Sequence, residues 1–124
     1  MRFANLCWVV AISAVPVGCE LTAEECRQAN DRAATIVETA RAANLTCTVV
    51  EDCVTVSVST NCAGACPDVV NSAGVTAVEA AVDQANREEC DETHSHSCGY
   101  ASPGCALWQP ACEQATCILV DPGL

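Results

Sequence analysis

The chain has 124 residues, of which 12 are cysteine, and its 16 acidic residues face five arginines and no lysine. Cysteine at about a tenth of the residues is typical of a disulfide scaffold and argues against an ordinary cytosolic domain. A chain this acidic is repelled by the phosphate backbone, which excludes nucleic-acid binding.

Large apolar side chains are scarce. Aromatic residues make up 3% of the chain, and Phe3 and Trp8 lie in the first ten residues, leaving Tyr100 and Trp108 for the rest. The core must therefore consist of alanine, valine and a few larger aliphatic residues, which bury little area each at about 25 cal/mol per Å². Since a native disulfide in a small secreted domain contributes about 2 to 5 kcal/mol, we expect cross-links to decide its stability.

The N-terminal segment has the pattern of an export signal. Met1 and Arg2 precede an apolar stretch, Phe3 to Val17, that is too short to span a bilayer and ends in Gly18-Cys19. This end resembles the lipobox of bacterial lipoproteins, which implies that residues 1–18 are removed and that Cys19 is lipidated. Residues 19–124 then form a single cysteine-rich domain. An ordinary secretory signal, cut slightly earlier or later, is the alternative.

Cysteine parity agrees with the lipoprotein interpretation. Ten cysteines remain once Cys7 is removed and Cys19 carries lipid, and an even number allows five disulfides with no free thiol. The sequence does not choose among their pairings. These cysteines are Cys26, Cys47, Cys53, Cys62, Cys66, Cys90, Cys98, Cys105, Cys112 and Cys117.

The first half of the domain predicts a helix followed by strands. Thr22 and Glu25 have the capping-box spacing, and a 3.6-residue apolar period then runs to about Ala43, with Asn44 suited to a left-handed C-terminal position. Alternation from Val54 to Ser59 predicts a strand. We expect Cys47 to Val50 to be its partner strand, connected by a turn at Glu51-Asp52, and 61–67 to be a loop.

The second half predicts another helix and a final strand. The helix begins at Ser72 or Thr76, where Thr76 and Glu79 again have capping-box spacing, and runs to Cys90. A polar linker, an irregular stretch from Cys98 to Cys112 and a strand at 116–120 follow. The expected fold is a small disulfide-rich α+β domain with a short antiparallel sheet and two helices packed on it.

Two sets of residues suggest metal or redox chemistry. His94 and His96 alternate in a polar segment and could bind zinc or copper with a nearby carboxylate, or simply belong to a linker. Cys62 and Cys66 have metal-ligand spacing, although structural disulfides are the expectation in an exported chain. There is no catalytic motif and no phosphate-binding glycine loop, so neither an enzyme nor a cofactor is predicted.

The stretch from Cys98 to Cys112 is the best candidate for binding. It holds Tyr100 and Trp108, and aromatic residues in cysteine-pinned loops are common interface anchors. The alternative is that both rings fill the core. The segment Cys98 to Cys105, with a serine and a proline between two cysteines, resembles the reactive loop of Bowman-Birk protease inhibitors, which implies inhibition of a protease.

The leading hypothesis from the sequence is a lipid-anchored, disulfide-linked structural or binding module of the cell envelope or outer surface, or otherwise a secreted one. Its expected partners are a membrane, through lipid on Cys19, and another macromolecule, through the Tyr100 and Trp108 loop. A protease inhibitor is the alternative, and metal binding at His94 and His96 is the third hypothesis.

Replacing Cys19 with serine should release the protein from membranes. The lipid supplies the membrane affinity, because the mature domain, with four arginines against 16 carboxylates, carries a net charge of −12 and is not attracted to anionic lipid. Fractionation of cells that express the Cys19→Ser variant and the unaltered chain in parallel measures this. Membrane association that persists in the variant would contradict lipidation.

Overall fold

The structure, a computed structural model, describes residues 20–123, so the signal segment and Cys19 lie outside the described residues. It confirms the α+β prediction, with two antiparallel two-stranded sheets rather than one. No helix in this part of the chain is both long and apolar enough to cross a bilayer. The elements, in chain order, are α1 (Ala23–Ala42), β1 (Cys53–Val56), β2 (Asp68–Asn71), α2 (Val75–Glu88), α3 (Glu92–Ser97), β3 (Gln109–Glu113) and β4 (Thr116–Val120).

Helix α1 begins at its predicted capping box. The Thr22 hydroxyl accepts a hydrogen bond from the Glu25 amide, and the Glu25 carboxylate accepts one from the Thr22 amide, both at 3.2 Å. The prediction that Asn44 adopts a left-handed conformation at the end of this helix is wrong. Asn44 keeps a negative φ, and its side-chain amide instead donates to the carbonyl of Ala40 at 2.7 Å, which caps the last turn.

Strand β1 pairs with β2 and not with the predicted partner at 47–50. The pairing is antiparallel, with Cys53 opposite Asn71 and Val56 opposite Asp68. The Asp52 carboxylate accepts hydrogen bonds from the amides of Thr48 and Val49, which lowers the pKa of Asp52 and folds this segment into a 3₁₀ turn at Val50–Asp52. Amides bonded in this way cannot form the predicted ladder.

Strand β1 also ends earlier than predicted, at Val56 rather than Ser59. The Ser59 hydroxyl donates to the Ala65 carbonyl and accepts from the Ala65 amide, at 3.0 and 2.9 Å. This side chain therefore closes a loop where the alternating pattern predicts continued strand.

Helix α2 confirms the second predicted helix and begins at Val75, one residue before Thr76. Gly74 is its N-cap after a short 3₁₀ turn, so the Thr76 and Glu79 capping box does not form. The C-terminal end of α2, which is rich in acidic residues, is fixed in place, because Glu89 pairs with Arg32 of α1 at 2.8 Å and Cys90 is bonded to Cys62.

The predicted polar linker contains a further helix, α3, whose N-cap Asp91 accepts a hydrogen bond from the His94 amide.

All fully buried hydrophobic residues of the described chain are alanine, valine or cysteine. One cluster lies between α1, α2 and the β1–β2 sheet, where Val37, Val70 and Val78 pack around Cys62 and Cys90. The other lies between the two sheets, around Val69 and three cysteines. Disulfides therefore occupy the space that larger aliphatic side chains fill in most cores.

All ten cysteines predicted to be oxidised are paired, and 20–123 contain no free cysteine. The sulfur pairs join elements that are far apart in sequence, so they tie helices to loops and one sheet to the other. The pairs are Cys26–Cys98, Cys47–Cys112, Cys53–Cys117, Cys62–Cys90 and Cys66–Cys105.

The β3–β4 hairpin confirms the predicted final strand and has an unfavourable turn. Glu113 lies opposite Thr116, and the residues between them, Gln114 and Ala115, have φ values of 51° and 59°. Two positive φ angles in a two-residue loop are the geometry for which asparagine and glycine are preferred. The Ala115 carbonyl also accepts a hydrogen bond from the Cys47 amide at 3.1 Å, which holds the turn in place.

Replacing Gln114 with asparagine and Ala115 with glycine should raise the free energy of unfolding by about 1 kcal/mol, because both residues then adopt positive φ at lower cost. Urea denaturation followed by circular dichroism measures the change. Ala34→Gly on the exposed face of α1 is the control and should lower the value by about 1 kcal/mol. A lower free energy of unfolding in the turn variant would contradict the interpretation that Gln114 and Ala115 are strained.

Candidate functional site

The segment between α3 and β3, residues 99–108, is here called the aromatic loop. Its Tyr100, Leu107 and Trp108 are 58%, 89% and 50% exposed, and the other exposed large hydrophobic residues of the described chain are Val49 and Val50. The alternative prediction, that Tyr100 and Trp108 fill the core, is therefore wrong. Neither ring belongs to a core cluster.

Two disulfides hold the aromatic loop. Cys98, directly before it, is bonded to Cys26 near the N-terminal end of α1. Cys105, within it, is bonded to Cys66 in the connection between β1 and β2. The loop is thus fixed at its start and near its end, which reduces the conformational entropy that binding would cost.

The aromatic loop packs against residues 57–67, here called the Gly64 loop. The Gly64 amide donates a hydrogen bond to the Ala101 carbonyl at 2.7 Å. A Cβ on Gly64 would lie 2.9 Å from that oxygen, 3.1 Å from the Tyr100 hydroxyl and 3.2 Å from the Cα of Ser102. Only glycine allows the two backbones to approach so closely.

The Gly64 loop is itself anchored to α2. The Asn61 amide donates to the side-chain oxygen of Asn86 at 2.7 Å, and the Thr60 amide donates to the Ala63 carbonyl at 3.1 Å. Cys62 in the same loop is bonded to Cys90 just beyond the end of α2. The aromatic loop therefore rests on a rigid support.

Charge is absent from both loops. Residues 53–67 and 97–112 contain no acidic or basic residue, although the chain has 21 charged residues in all. The Cys66–Cys105 disulfide and the Gly64 hydrogen bond bring these two stretches together. An acidic protein therefore presents one uncharged region that carries exposed aromatic rings.

The carboxyl groups with lowered pKa lie outside both loops. The pKa of Glu24 is lowered chiefly by its hydrogen bond with Arg27, and the pKa of Glu38 by its hydrogen bond with Arg41. Arg41 also pairs with Asp68 at 3.2 Å, which ties α1 to the start of β2. These pairs support the helices and the sheet rather than the candidate site.

The structure separates the two histidines that the sequence suggests as metal ligands. Histidines at alternate positions share a face of an extended segment, but α3 is helical and residues two apart on a helix point in nearly opposite directions. His94 is 2% exposed, and its Nε2 lies 2.9 Å from the side-chain oxygen of Asn30, whereas His96 is exposed. His94 thus joins α3 to α1.

Cys62 and Cys66 do not pair with each other, although their spacing is that of metal ligands. Cys62 and Cys66 are bonded to different partners, Cys90 and Cys105. The sulfur atoms of Cys47, Cys53 and Cys117 lie within 4.8 Å of one another, but each belongs to a disulfide and offers no thiolate to a metal.

The inhibitor-like segment is not closed by a disulfide between its own two ends. Cys98 and Cys105 are bonded to Cys26 and Cys66, so no disulfide joins the two ends of the segment to each other. Ser102 and Pro103 between them are exposed. The segment is held from two outside points instead of being closed as a ring.

Beside the start of the aromatic loop lies an open depression of about 430 Å³. Ala23, Arg27 and Gly99 on its rim are exposed, so it is a groove in the surface and not an enclosed cavity. Small-molecule sites bury most of their ligand. The groove therefore lacks the enclosure that is typical of a small-molecule site.

Comparison with known proteins identifies no relative of this chain. No protein-family model, no curated protein and no solved structure matches the chain. The candidate site is therefore interpreted from its own residues. Exposure of Trp108 and Tyr100 is the part that the sequence left open, because no local pattern separates a core aromatic from an exposed one in a short loop.

Replacing Gly64 with alanine should separate the two loops and lower the free energy of unfolding by about 1 to 3 kcal/mol, since the added carbon meets backbone atoms that cannot move alone. Gly104→Ala is the matched control, because a Cβ there meets nothing within 4 Å. Urea denaturation of both variants measures the difference. Equal stability of the two would contradict the tight contact.

Proposed function

We propose that this protein is an exported, lipid-anchored binding module that presents the aromatic loop to another macromolecule. The observation that carries the proposal is the exposure of Tyr100, Leu107 and Trp108 in a domain whose buried hydrophobic residues are all alanine, valine or cysteine. Burying an aromatic or leucine side chain is worth about 1.5 to 3 kcal/mol. A fold short of apolar area that leaves these three exposed points to a use for them outside the domain.

The loop has the properties of an interface anchor. Tyrosine and tryptophan are enriched among residues that dominate binding energy, and disulfides at two points keep this loop ordered before binding. Without charged residues in 97–112, contact with a partner would desolvate no ionised group of this segment. The proposed interface is therefore apolar and aromatic, within an otherwise acidic surface.

The proposal of export and anchoring rests on three features. Five disulfides need an oxidising compartment, and the first 18 residues have the composition of a signal peptide. The ten cysteines of 20–123 pair with one another, so none of them requires Cys19 as a partner. The proposed location is the cell envelope or outer surface, with the domain held at a membrane by its lipid.

A protease inhibitor is the second candidate. The observation in its favour is that the segment from Cys98 to Cys105 is exposed around Ser102 and Pro103 and held at both ends, as a substrate-like inhibitory loop must be. A panel of serine proteases separates the candidates. Inhibition that is lost when Tyr100 is changed to aspartate would identify the partner macromolecule as a protease.

Trp108→Ala should change the free energy of unfolding by no more than about 0.5 kcal/mol and abolish partner binding, because half of the ring is already in water. Val70→Ala, at a fully buried position, should lower stability by about 2 kcal/mol. Urea denaturation compares the two.

Binding itself can be measured in the native host with a photo-crosslinking side chain at Leu107 and, as a control, at exposed Ala34 of α1. The expected result is a discrete cross-linked species from position 107 alone, lost when Trp108 is also changed to alanine. Equal cross-linking from both positions, or none from position 107, would contradict the proposed surface.

A further inference from the structure

The Cys66–Cys105 disulfide differs from the other four in exposure. Both of its cysteines are exposed, whereas every cysteine of the other pairs is buried or half-buried. Thiol–disulfide exchange requires an incoming thiolate to reach a sulfur atom along the S–S bond. On access alone, this bond is the one that an external thiol reaches first.

The same bond is also the one with no carboxylate beside it in sequence. Cys66 lies between Ala65 and Pro67, and Cys105 lies between Gly104 and Ala106. Each other disulfide has at least one cysteine directly next to an acidic residue, namely Glu25, Asp52, Glu89 with Asp91, or Glu113. Neighbouring carboxylates repel a thiolate and disfavour thiolate formation at the leaving sulfur, so attack is least opposed at Cys66–Cys105.

Asp68 is the acidic residue nearest to this disulfide in sequence, two positions after Cys66. Its carboxylate is paired with the guanidinium of Arg41 at 3.2 Å, which partly neutralises it. The two loops around the disulfide contribute no further charge.

The bond also lies outside both core clusters, whereas Cys62, Cys90, Cys53 and Cys117 are buried within them. Opening Cys66–Cys105 therefore leaves the packed core and the other four cross-links in place. What it removes is the covalent tie between the aromatic loop and the Gly64 loop. The hydrogen bond from the Gly64 amide to the Ala101 carbonyl then has to hold that contact.

We propose that Cys66–Cys105 is a thiol–disulfide exchange site for a protein dithiol, and that its reduction frees the aromatic loop from the Gly64 loop. One thiolate of the dithiol attacks Sγ of Cys66 or Cys105, forms a mixed disulfide and releases the other cysteine as a thiolate, which takes up a proton. The second thiol of the dithiol then displaces the remaining cysteine. Two electrons and two protons pass to this protein, and the dithiol becomes a disulfide.

Three observations support the exchange site: the exposure of its cysteines, the absence of nearby charge and its position outside the core. Its effect on partner binding depends on the proposed function of the aromatic loop. Reduction would convert a loop held near both ends into one held only through Cys98 and the start of β3. Binding to a loop that is no longer ordered costs more conformational entropy, so the reduced protein should bind its partner more weakly.

The test is graded reduction of the folded full-length protein with dithiothreitol, followed by alkylation and peptide mass spectrometry. Cys66 and Cys105 should be labelled together, about tenfold faster than any other cysteine. Hydrogen exchange of the same samples should show faster exchange in 99–108 and unchanged protection in α1 and α2. Labelling of another pair first, or of all ten cysteines at once, would overturn the proposal.

Variants check that the labelled bond is dispensable for folding. Cys66→Ser with Cys105→Ser should keep the circular dichroism spectrum of the folded domain and reproduce the faster exchange of 99–108. Cys62→Ser with Cys90→Ser, a buried pair, is the matched control and should lose folded structure. If the Cys66 and Cys105 variant unfolds instead, the local character of the site is refuted.

The protein dithiol is represented by thioredoxin whose resolving cysteine has been replaced by serine, so that the first covalent step is trapped. A mixed disulfide at Cys66 or Cys105 is the expected product, and its appearance at a different cysteine contradicts the site. Cross-linking from Leu107 of the oxidised protein reports the proposed function separately, because it requires no reduction.

Discussion

Small side chains and disulfides together determine how this domain is built. A core made only of alanine, valine and cysteine buries modest area, so hydrophobic burial alone provides little margin over the conformational entropy of about a hundred ordered residues. Cross-links reduce the entropy of the unfolded chain and, at Cys62–Cys90 and Cys53–Cys117, also occupy volume inside the core. The close approach of α1 and α2 follows, because Ala33 and Ala85 lie in their interface.

The aromatic side chains of the aromatic loop lie outside the core. The alternative prediction, that Tyr100 and Trp108 fill the interior, is wrong, because both are at least half exposed. The two core clusters consist of alanine, valine and cysteine with partly buried aliphatic residues around them, and Tyr100, Leu107 and Trp108 remain on a loop. Their placement on a loop fixed by two disulfides in an uncharged region is what favours a binding role.

The sequence predicts the elements that depend on local interactions and misses those that depend on distant ones. The Thr22 capping box fixes α1, and the β-branched and other apolar residues of 116–120 favour β4, because each signal lies within the element itself. The partner of β1 was missed because the Asp52 side chain binds amides that the sequence assigns to a strand. Helix α3 is too short to show a period, and its His94 is fixed by Asn30, 64 residues earlier. The disulfide pairing likewise depends on tertiary placement.

Stability and the proposed binding function depend on different parts of the structure. Four disulfides are buried or half-buried and hold the helices, the sheets and the start of the aromatic loop, whereas Cys66–Cys105 is exposed and joins two loops. Regions that open locally have few buried contacts and little support from the core, and the aromatic loop meets both conditions beyond Cys98. A change confined to Cys66 and Cys105 can therefore alter the order of the proposed binding surface without a change in the free energy that holds α1 against α2. An acidic domain with a cross-linked apolar core thus supports an uncharged loop whose order depends on a single accessible bond.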